Sequence, residues 1–390
     1  MSPIFGTTDA DGKYRMLPKP GIRFGVSAFP PSGTAYMGRE AETLVWENAD
    51  TKRNVDIKLP RVTLVKGRVI EKGTGKPVDD ATITFEGSSK NAPKNVITGW
   101  QATQKTNAEG KFTFAVPQGH GTLTVRKMNS PYVLQTMDSR KMISDKPGGS
   151  RFYANAFHKM KIEKGTDAIE AEIEVLPGKT VRGVIVDQDG NSVEEVYIVT
   201  RLKSWDLAGR WRGDERPTIG GKFELKGLAP DETYKVHFLD PRRKLGATVE
   251  LKATDQDVRV VLQPCGSAKA KFVATDEEDR TRLKRMTPFL HFVLNPGVPK
   301  YDFDSQRLGQ LAADVDLNAN VDRVNYGHDA FEKGAGPKFD DDLRVTYSAL
   351  IPGATYRIPT TFDQSFGYKE FVAKPGETLD LGEFTPKFGQ

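Results

Sequence analysis

Five histidines, a single cysteine, several acidic clusters and a pair of close tryptophans are the residues of this 390-residue chain that could do chemistry. A zinc peptidase centre needs a His-x-x-Glu pair, a second distant histidine and a general-base glutamate. None of His120, His158, His237, His291 or His328 is followed by glutamate at that spacing. The nearest approach, His237-Phe238-Leu239-Asp240, would send its end side chains to opposite faces of a strand. His237 therefore reads as a strand residue between core-facing Val236 and Phe238. A nucleophile elbow is missing too, because Gly149-Ser150-Arg151-Phe152 lacks the closing glycine. Gly73-Thr74-Gly75-Lys76-Pro77 has Ile70 where a phosphate loop has its first glycine and Pro77 where it has the magnesium-binding hydroxyl, which leaves a hairpin turn. Cys265 follows a proline and has no histidine near it in the sequence, so nothing there would activate a thiolate.

The acidic clusters ask for a calcium test. Asp187-Gln188-Asp189-Gly190-Asn191 gathers oxygens but lacks the order and the closing glutamate of a calcium loop. Asp-Gly is the favoured hairpin dipeptide, and a turn is the reading adopted. Asp314, Asp316, Asn318, Asn320 and Asp322 alternate with Val315, Leu317, Ala319 and Val321; on a strand this is a solvated face, and no metal is assigned to it. Trp205, Arg210 and Trp211 share the run Ser204-Trp205-Asp206-Leu207-Ala208-Gly209-Arg210-Trp211. Flat rings beside arginines can stack on sugars or cap the end of a sandwich. These three are the candidate ligand-binding residues. No catalytic residue, cofactor-binding residue or metal ligand is assigned.

The elements that would position these residues announce themselves by repetition. Thr8-Asp9-Ala10-Asp11-Gly12-Lys13-Tyr14-Arg15 returns as Thr106-Asn107-Ala108-Glu109-Gly110-Lys111-Phe112-Thr113, then as Thr218-Ile219-Gly220-Gly221-Lys222-Phe223-Glu224. A worn copy is Phe339-Asp340-Asp341-Asp342-Leu343-Arg344-Val345-Thr346. Each is a turn opened by Asp or Asn, with glycine at the positive-φ position, leading into a strand. A second phrase joins a strand, a proline stop and a new strand. It occurs at Val55 to Leu59 before Gly67-Arg68-Val69-Ile70, at Ala171 to Val175 before Gly183-Val184-Ile185-Val186, and at Val258 to Leu262 before Ala270-Lys271-Phe272-Val273. A third pairs Gly227-Leu228-Ala229-Pro230-Asp231-Glu232-Thr233-Tyr234 with Ala349-Leu350-Ile351-Pro352-Gly353-Ala354-Thr355-Tyr356. Recurrent turn-strand phrases in one order mean recurrent domains.

Composition agrees. The 37 glycines and 24 prolines suit short strands with many turns. The net charge of +5 is spread, since the basic run from Arg280 to Arg285 directly follows Asp276-Glu277-Glu278-Asp279. No basic stripe with interleaved aromatics emerges, so nucleic acid is not an expected partner. One cysteine excludes intramolecular disulfides. No apolar run is long enough to span a bilayer, and the first residues have no basic-then-apolar leader pattern.

The phrases divide the chain. Residues 1–60 read as the C-terminal half of a β-sandwich, with strands near 22–29 and 53–59 but without opening strands. Residues 61–178 are a full sandwich in which 128–159 is a long loop or edge insertion. Residues 179–264 are the most compact unit. Residues 265–390 are a divergent sandwich with helices expected over 276–286, capped by Thr275, and over 304–313.

The pattern Gly-x-Val, Gly-x-Pro-Val, Ala-x-Ile-x-Phe, Thr-Asn-x-x-Gly-Lys-Phe-x-Phe and Leu-x-Val across 67–125 resembles the carboxypeptidase regulatory-like domain. The likeness to large bacterial proteins that string such domains together extends to Phe152 to Phe157, Thr180 to Val186 and Ala319 to Tyr326. Leu343 in place of the turn glycine, and the missing Gly-x-Val in the last unit, depart from the pattern. The resemblance implies an all-β chain of tandem transthyretin-like, Greek-key sandwiches with minor helical insertions in the last unit. It implies a non-enzymatic structural or adhesive spacer without cofactor. That spacer would be a monomeric fragment of a larger exported or surface protein, meeting protein or polysaccharide at the cell surface. The alternatives are a carbohydrate- or ligand-binding module using Trp205 and Trp211, or the regulatory or sensory tail of a larger enzyme or signalling protein.

Overall fold

Alternation of side chains decides which segments become strands. In Ala168–Val175 the acids Glu170, Glu172 and Glu174 alternate with buried Ala171, Ile173 and Val175. That is the period of a sheet with one face in a core. Lys111–Val116 buries Phe112, Phe114 and Val116 in the same way, and Lys222–Leu228 buries Phe223 and Leu225. Such strands make the chain an all-β series of sandwiches carrying minor helical segments. The computed structural model describes residues 5–17, 23–40, 43–45, 53–87, 93–97, 103–144, 146, 151–203, 217–286, 288, 290–293, 315–316, 337–359, 368–386 and 388.

Among the described residues, the first stretch holds two-residue ladders. These are β1 (Arg23–Phe24), β2 (Ser27–Ala28), β3 (Arg39–Glu40) and β4 (Leu44–Val45), with β1 on β4 and β2 on β3. The strand expected over 53–59 forms no ladder. Its side chains alternate between exposed and half-buried, but no strand lies beside it among the described residues.

Residues 63–175 carry β5 (Thr63–Glu71), β6 (Thr82–Gly87), β7 (Gln104–Lys105), β8 (Lys111–Val116), β9 (Gly119–Arg126), β10 (Gln135–Asp138), α1 (Ser139–Ile143), β11 (Arg151–Ala154), β12 (Ala156–Ile162) and β13 (Ala168–Val175). One sheet has the order β13-β5-β8, with the opening strand parallel to the closing strand and antiparallel to β8. The other has the order β12-β9-β6-β7. Val65, Val69, Ile83, Leu123 and Val125 fill the space between them. The stretch 128–159 is more regular than the expected loop. β10 and β11 pair with each other, and β12 is an edge strand of the sheet. Burial of Tyr132, Tyr153, Ala154 and Ala156 overrides the loop signals. Thr122 on β9 donates its hydroxyl to Met142 O of α1 at 2.6 Å, which ties the helix to that sheet.

Residues 179–264 repeat the plan with β14 (Lys179–Val186), β15 (Tyr197–Val199), β16 (Lys222–Leu228), β17 (Thr233–Asp240), β18 (Leu245–Lys252), β19 (Val258–Val261) and β20 (Gln263–Pro264). The sheets are β16-β14-β19, again with opening and closing strands parallel, and β15-β17-β18-β20. Residues 266–384 repeat it once more with β21 (Gly266–Phe272), α2 (Glu277–Arg285), β22 (His291–Val293), β23 (Val315–Asp316), β24 (Arg344–Leu350), β25 (Thr355–Pro359), β26 (Tyr368–Val372) and β27 (Thr378–Phe384). Its sheets are β24-β21-β27, with β21 parallel to β27, and β23-β22-β25-β26. The cap of α2 is Asp276 rather than Thr275. Asp276 Oδ1 accepts from Asp279 N at 2.8 Å, while the Thr275 hydroxyl donates to the Asp279 carboxylate. A carboxylate at that place also meets the positive end of the helix dipole. The helix expected over 304–313 lies outside the described residues.

The repeated turn is built the same way in three of its copies, and the hairpin at 187–191 uses the same device. Asp9, Asn107, Asp187 and Asp340 each accept through one side-chain oxygen from the N–H groups two and four residues on. Gly12, Gly110 and Gly190 take φ of +76°, +71° and +85°, and the fourth copy places buried Leu343 at +60°. The copy at 218–221 has no such side chain and bends through Gly220 and Gly221 instead. What it keeps is the contact to the opening strand. Ile185 N donates to Gly221 O at 2.7 Å, as Val69 N does to Gly110 O at 2.8 Å and Phe272 N to Leu343 O at 2.9 Å.

Candidate functional site

Among the described residues, main-chain bonds and buried contacts gather at the passages between successive stretches. At the first, Met37 N donates to Pro60 O at 3.1 Å and Val62 N to Ala35 O at 2.9 Å. Nearby, Glu40 N reaches Asn95 O and Ile97 N reaches Gly38 O, both at 2.9 Å. At the second, Gly178 N donates to Pro131 O at 2.7 Å and Val133 N to Leu176 O at 2.8 Å. A Cβ on Gly178 would lie 2.7 Å from the Gly227 backbone, and one on Gly227 would lie 2.5 Å from Tyr132 O. Two main chains approach there as only glycine permits.

The third passage is a shared core. Tyr197 and Val199 of β15 and Leu239 of β17 belong to one hydrophobic cluster with Ala268, Phe292, Leu350 and Tyr356. Pro352 lies against Gly246, and Gly353 against Thr248. His237 is a strand residue between core-facing Val236 and Phe238, and the structure adds a second covered face. Val236 and Phe238 face one core, but His237 and Leu239 are buried as well, because the other face is covered from the 266–384 side. The His237 ring stands edge-on to Phe292 with centroids 4.8 Å apart, and its Nδ1 meets the Thr248 hydroxyl at 2.9 Å. Its Nε2 has no hydrogen-bond partner among the described residues. Burial, with Lys235 adding to it, holds the imidazole neutral down to about 3.

Trp205, Arg210 and Trp211 lie outside the described residues. The described residues just before that run are anchored. Arg201 in the 3-10 turn Arg201–Lys203 pairs with Glu232 and lies 4.5 Å from the centroid of the Tyr234 ring. Of the five positions in the alternating acidic stretch, only Asp316 falls in a described strand; Asp314, Asn318, Asn320 and Asp322 lie outside. Asp187 spends its oxygens on the turn and on Arg243, which donates to Oδ2 at 2.7 Å and holds the carboxyl below its usual range. Cys265 is half-buried, and desolvation pushes its thiol up to about 12. Among the described residues no cluster of three or more His, Cys, Asp or Glu side chains could hold a metal ion.

One cleft of about 370 Å³ opens between the edge strands β12 and β13, lined by Gln135, Phe157, His158, Glu172 and Glu174. Desolvation lowers the pKa of His158 there. Its groups offer contact surface and no arranged nucleophile and base. Sequence reasoning missed the shared core because nothing in β17 itself signals that both faces will be covered.

No protein-family model matches the chain, and no curated protein matches it. Among solved structures it is similar to the Bacillus anthracis TIE protein at 11% identity and a TM-score of 0.19, over 90% of this chain and 53% of that one. The chain thus spans about half the length of that protein. It is similar to the shaft pilin SpaA of Lactobacillus rhamnosus GG at 12% identity and a TM-score of 0.25, over 52% and 97% of the two chains. It is also similar to the 5-hydroxyisourate hydrolase of Klebsiella pneumoniae at 19% identity and a TM-score of 0.17, over 30% and 92%.

Proposed function

We propose that this chain is a non-enzymatic structural and adhesive spacer of the extracytoplasmic or cell-surface space, built from carboxypeptidase regulatory-like units divided at 60/61, 178/179 and 264/265. The observation that carries the reading is that each passage between successive sheets is bridged by main-chain hydrogen bonds or by a common core. Hinges that serve motion usually have few such contacts, whereas a spacer needs its reach fixed. The opening strand set between the strand after the repeated turn and the closing strand in three successive stretches supports the unit assignment. Pairs of spin labels at exposed Lys72 and Lys284 test it. One narrow distance distribution, unchanged by salt, is expected; a broad one would return the passages to the status of flexible linkers.

A second reading rests on the anchored root at Arg201. An ion pair and a cation–π contact at the base of the Trp205–Trp211 run favour a presented contact loop. Its partner would be a protein or polysaccharide surface. Glycan-array binding that disappears on Trp205→Ala and Trp211→Ala is the expected outcome, and binding that survives both substitutions would remove the loop from consideration.

A further inference from the structure

We propose that the cleft between β12 and β13 holds the side-chain ammonium of a lysine presented by an extended segment of a partner protein. The inference goes beyond the spacer reading and stands without it.

Strand register shows that the three sandwiches share this place and fill it differently. Ile83 and Ile198, each five residues after a buried valine, pair with Val125 and Phe238, which sets Leu123 level with Val236. The corner tyrosines Tyr234 and Tyr356 set Ile358 level with both. The cross-strand partners of Leu123, Val236 and Ile358 are His158, Val249 and Lys369. On the closing strands, Ile173, Val260 and Phe384 are equivalent, because they pair with Val69, Ile185 and Phe272, whose N–H groups all reach the repeated turn.

Each sandwich therefore sets one of these residues against the other across its open side. In 179–264 they are Val249 and Val260, apolar on apolar. In 266–384 they are Lys369 and Phe384. The ammonium of Lys369 donates to Leu381 O of β27 at 2.7 Å and lies 5.8 Å from the centroid of the Phe384 ring. The fold thus seats an ammonium between these two strands, on a carbonyl of the closing strand. In 63–175 the residues are His158 and Ile173, and there the cleft of about 370 Å³ opens.

Charge and main chain say what enters it. Glu172 and Glu174 line the cleft, and among the described residues no lysine or arginine does. Glu172 is in register with Arg68 on β5, whose Nε donates to Glu109 O, whereas Glu174 is in register with Ile70. Lys72 N takes Val175 O and Leu64 N takes Asp167 O. The odd-numbered residues of β13 thus turn their main-chain groups to β5, and Glu172 and Glu174 turn theirs to the open edge. Phe157 and Ile173 give the alkyl stem of a lysine an apolar wall. Desolvation lowers the pKa of His158, so its imidazole is neutral at pH 7 and does not repel a cation. Among the described residues β13 is paired on one side alone. A segment laid along its other side gains main-chain bonds, and alternate side chains point between the sheets.

The test uses the intact chain at pH 7 and fluorescein-labelled Val-Lys-Val-amide, followed by anisotropy, beside the same peptide with Nε-acetyl-lysine. Saturable binding of the lysine peptide alone is expected. Glu174→Gln should weaken it about threefold, the scale of a half-exposed ion pair. Glu170→Gln removes the same charge from the same strand outside the cleft and should leave binding unchanged. His158→Lys, which places the chain's own ammonium where Lys369 stands, should abolish it. Absence of binding, or equal binding of the acetylated peptide, would overturn the proposal. Equal effects of the two glutamine substitutions would reduce it to general attraction between charges, and binding that survives His158→Lys would move it away from this cleft.

Discussion

Tyr234 and Tyr356 show how much one hydroxyl can organise. Each is buried, and each accepts at 2.9 Å from an N–H five residues upstream, Ala229 N and Ile351 N respectively, closing the corner before the next strand. Burial raises the pKa of both phenols, so they remain neutral. Tyr356→Phe should cost about 1–3 kcal/mol in denaturant unfolding, because it strands the N–H of fully buried Ile351. Tyr234→Phe should fall at the lower end, since Ala229 is only half-buried. Two variants as stable as the parent would show that packing alone makes the corner. His237 carries the pH prediction. Its pKa is about 3 when folded and about 6.5 when unfolded, so the unfolded chain binds the proton more readily. Its contribution to stability is therefore whole above pH 6.5 and is lost progressively as pH falls toward 3. Two units of that fall correspond to about 3 kcal/mol. Urea midpoints at pH 7 and 4.5 should diverge in the parent and converge in His237→Gln.

At the scale of elements, Gly67 and Gly183 stand near the middle of their opening strands, each paired with the closing strand, and differ in what a side chain there would meet. A Cβ on Gly183 would lie 2.2 Å from Val258 O, a main-chain atom that cannot turn aside, whereas on Gly67 the obstacle is the Phe112 ring. Gly183→Ala should therefore destabilise more than Gly67→Ala, with the difference read as a larger shift of the thermal midpoint. Equal shifts would mean that β19 yields as easily as a ring. The worn turn makes the opposite point. Leu343 sits at φ +60° with its side chain 2% exposed, so backbone strain of about 1–2 kcal/mol is offset by burial of a leucine. The sequence marked this position as a departure from the pattern, yet the turn forms because Asp340 still accepts from Asp342 N and Arg344 N.

For the whole molecule, the cluster joining Tyr197, Val199 and Leu239 to Phe292 and Tyr356 gives 179–264 and 266–384 a common core. A chain ended at residue 264 would expose those side chains. It should unfold at lower denaturant than the parent and bind a hydrophobic dye, and a truncated chain with the parent's stability and no dye binding would separate the two bodies. The fold class, the turns and the strand that opens each sheet were all legible in the sequence. Their signals are local: an Asx residue, a glycine at positive φ, and side chains alternating with period two. The regular structure within 128–159, the capping of α2 by Asp276 and the burial of both faces of β17 were not legible. The first and the last are settled by atoms distant along the chain, such as Met142 O over Thr122 or Phe292 against His237, whereas the cap is a local choice between the adjacent Thr275 and Asp276. Sequence by itself determined that a small sandwich is written repeatedly here; only the tertiary structure decided how each copy leans on the next. Alternation and turns depend on neighbours in sequence, whereas the burial of a sheet's second face depends on what another part of the chain places upon it.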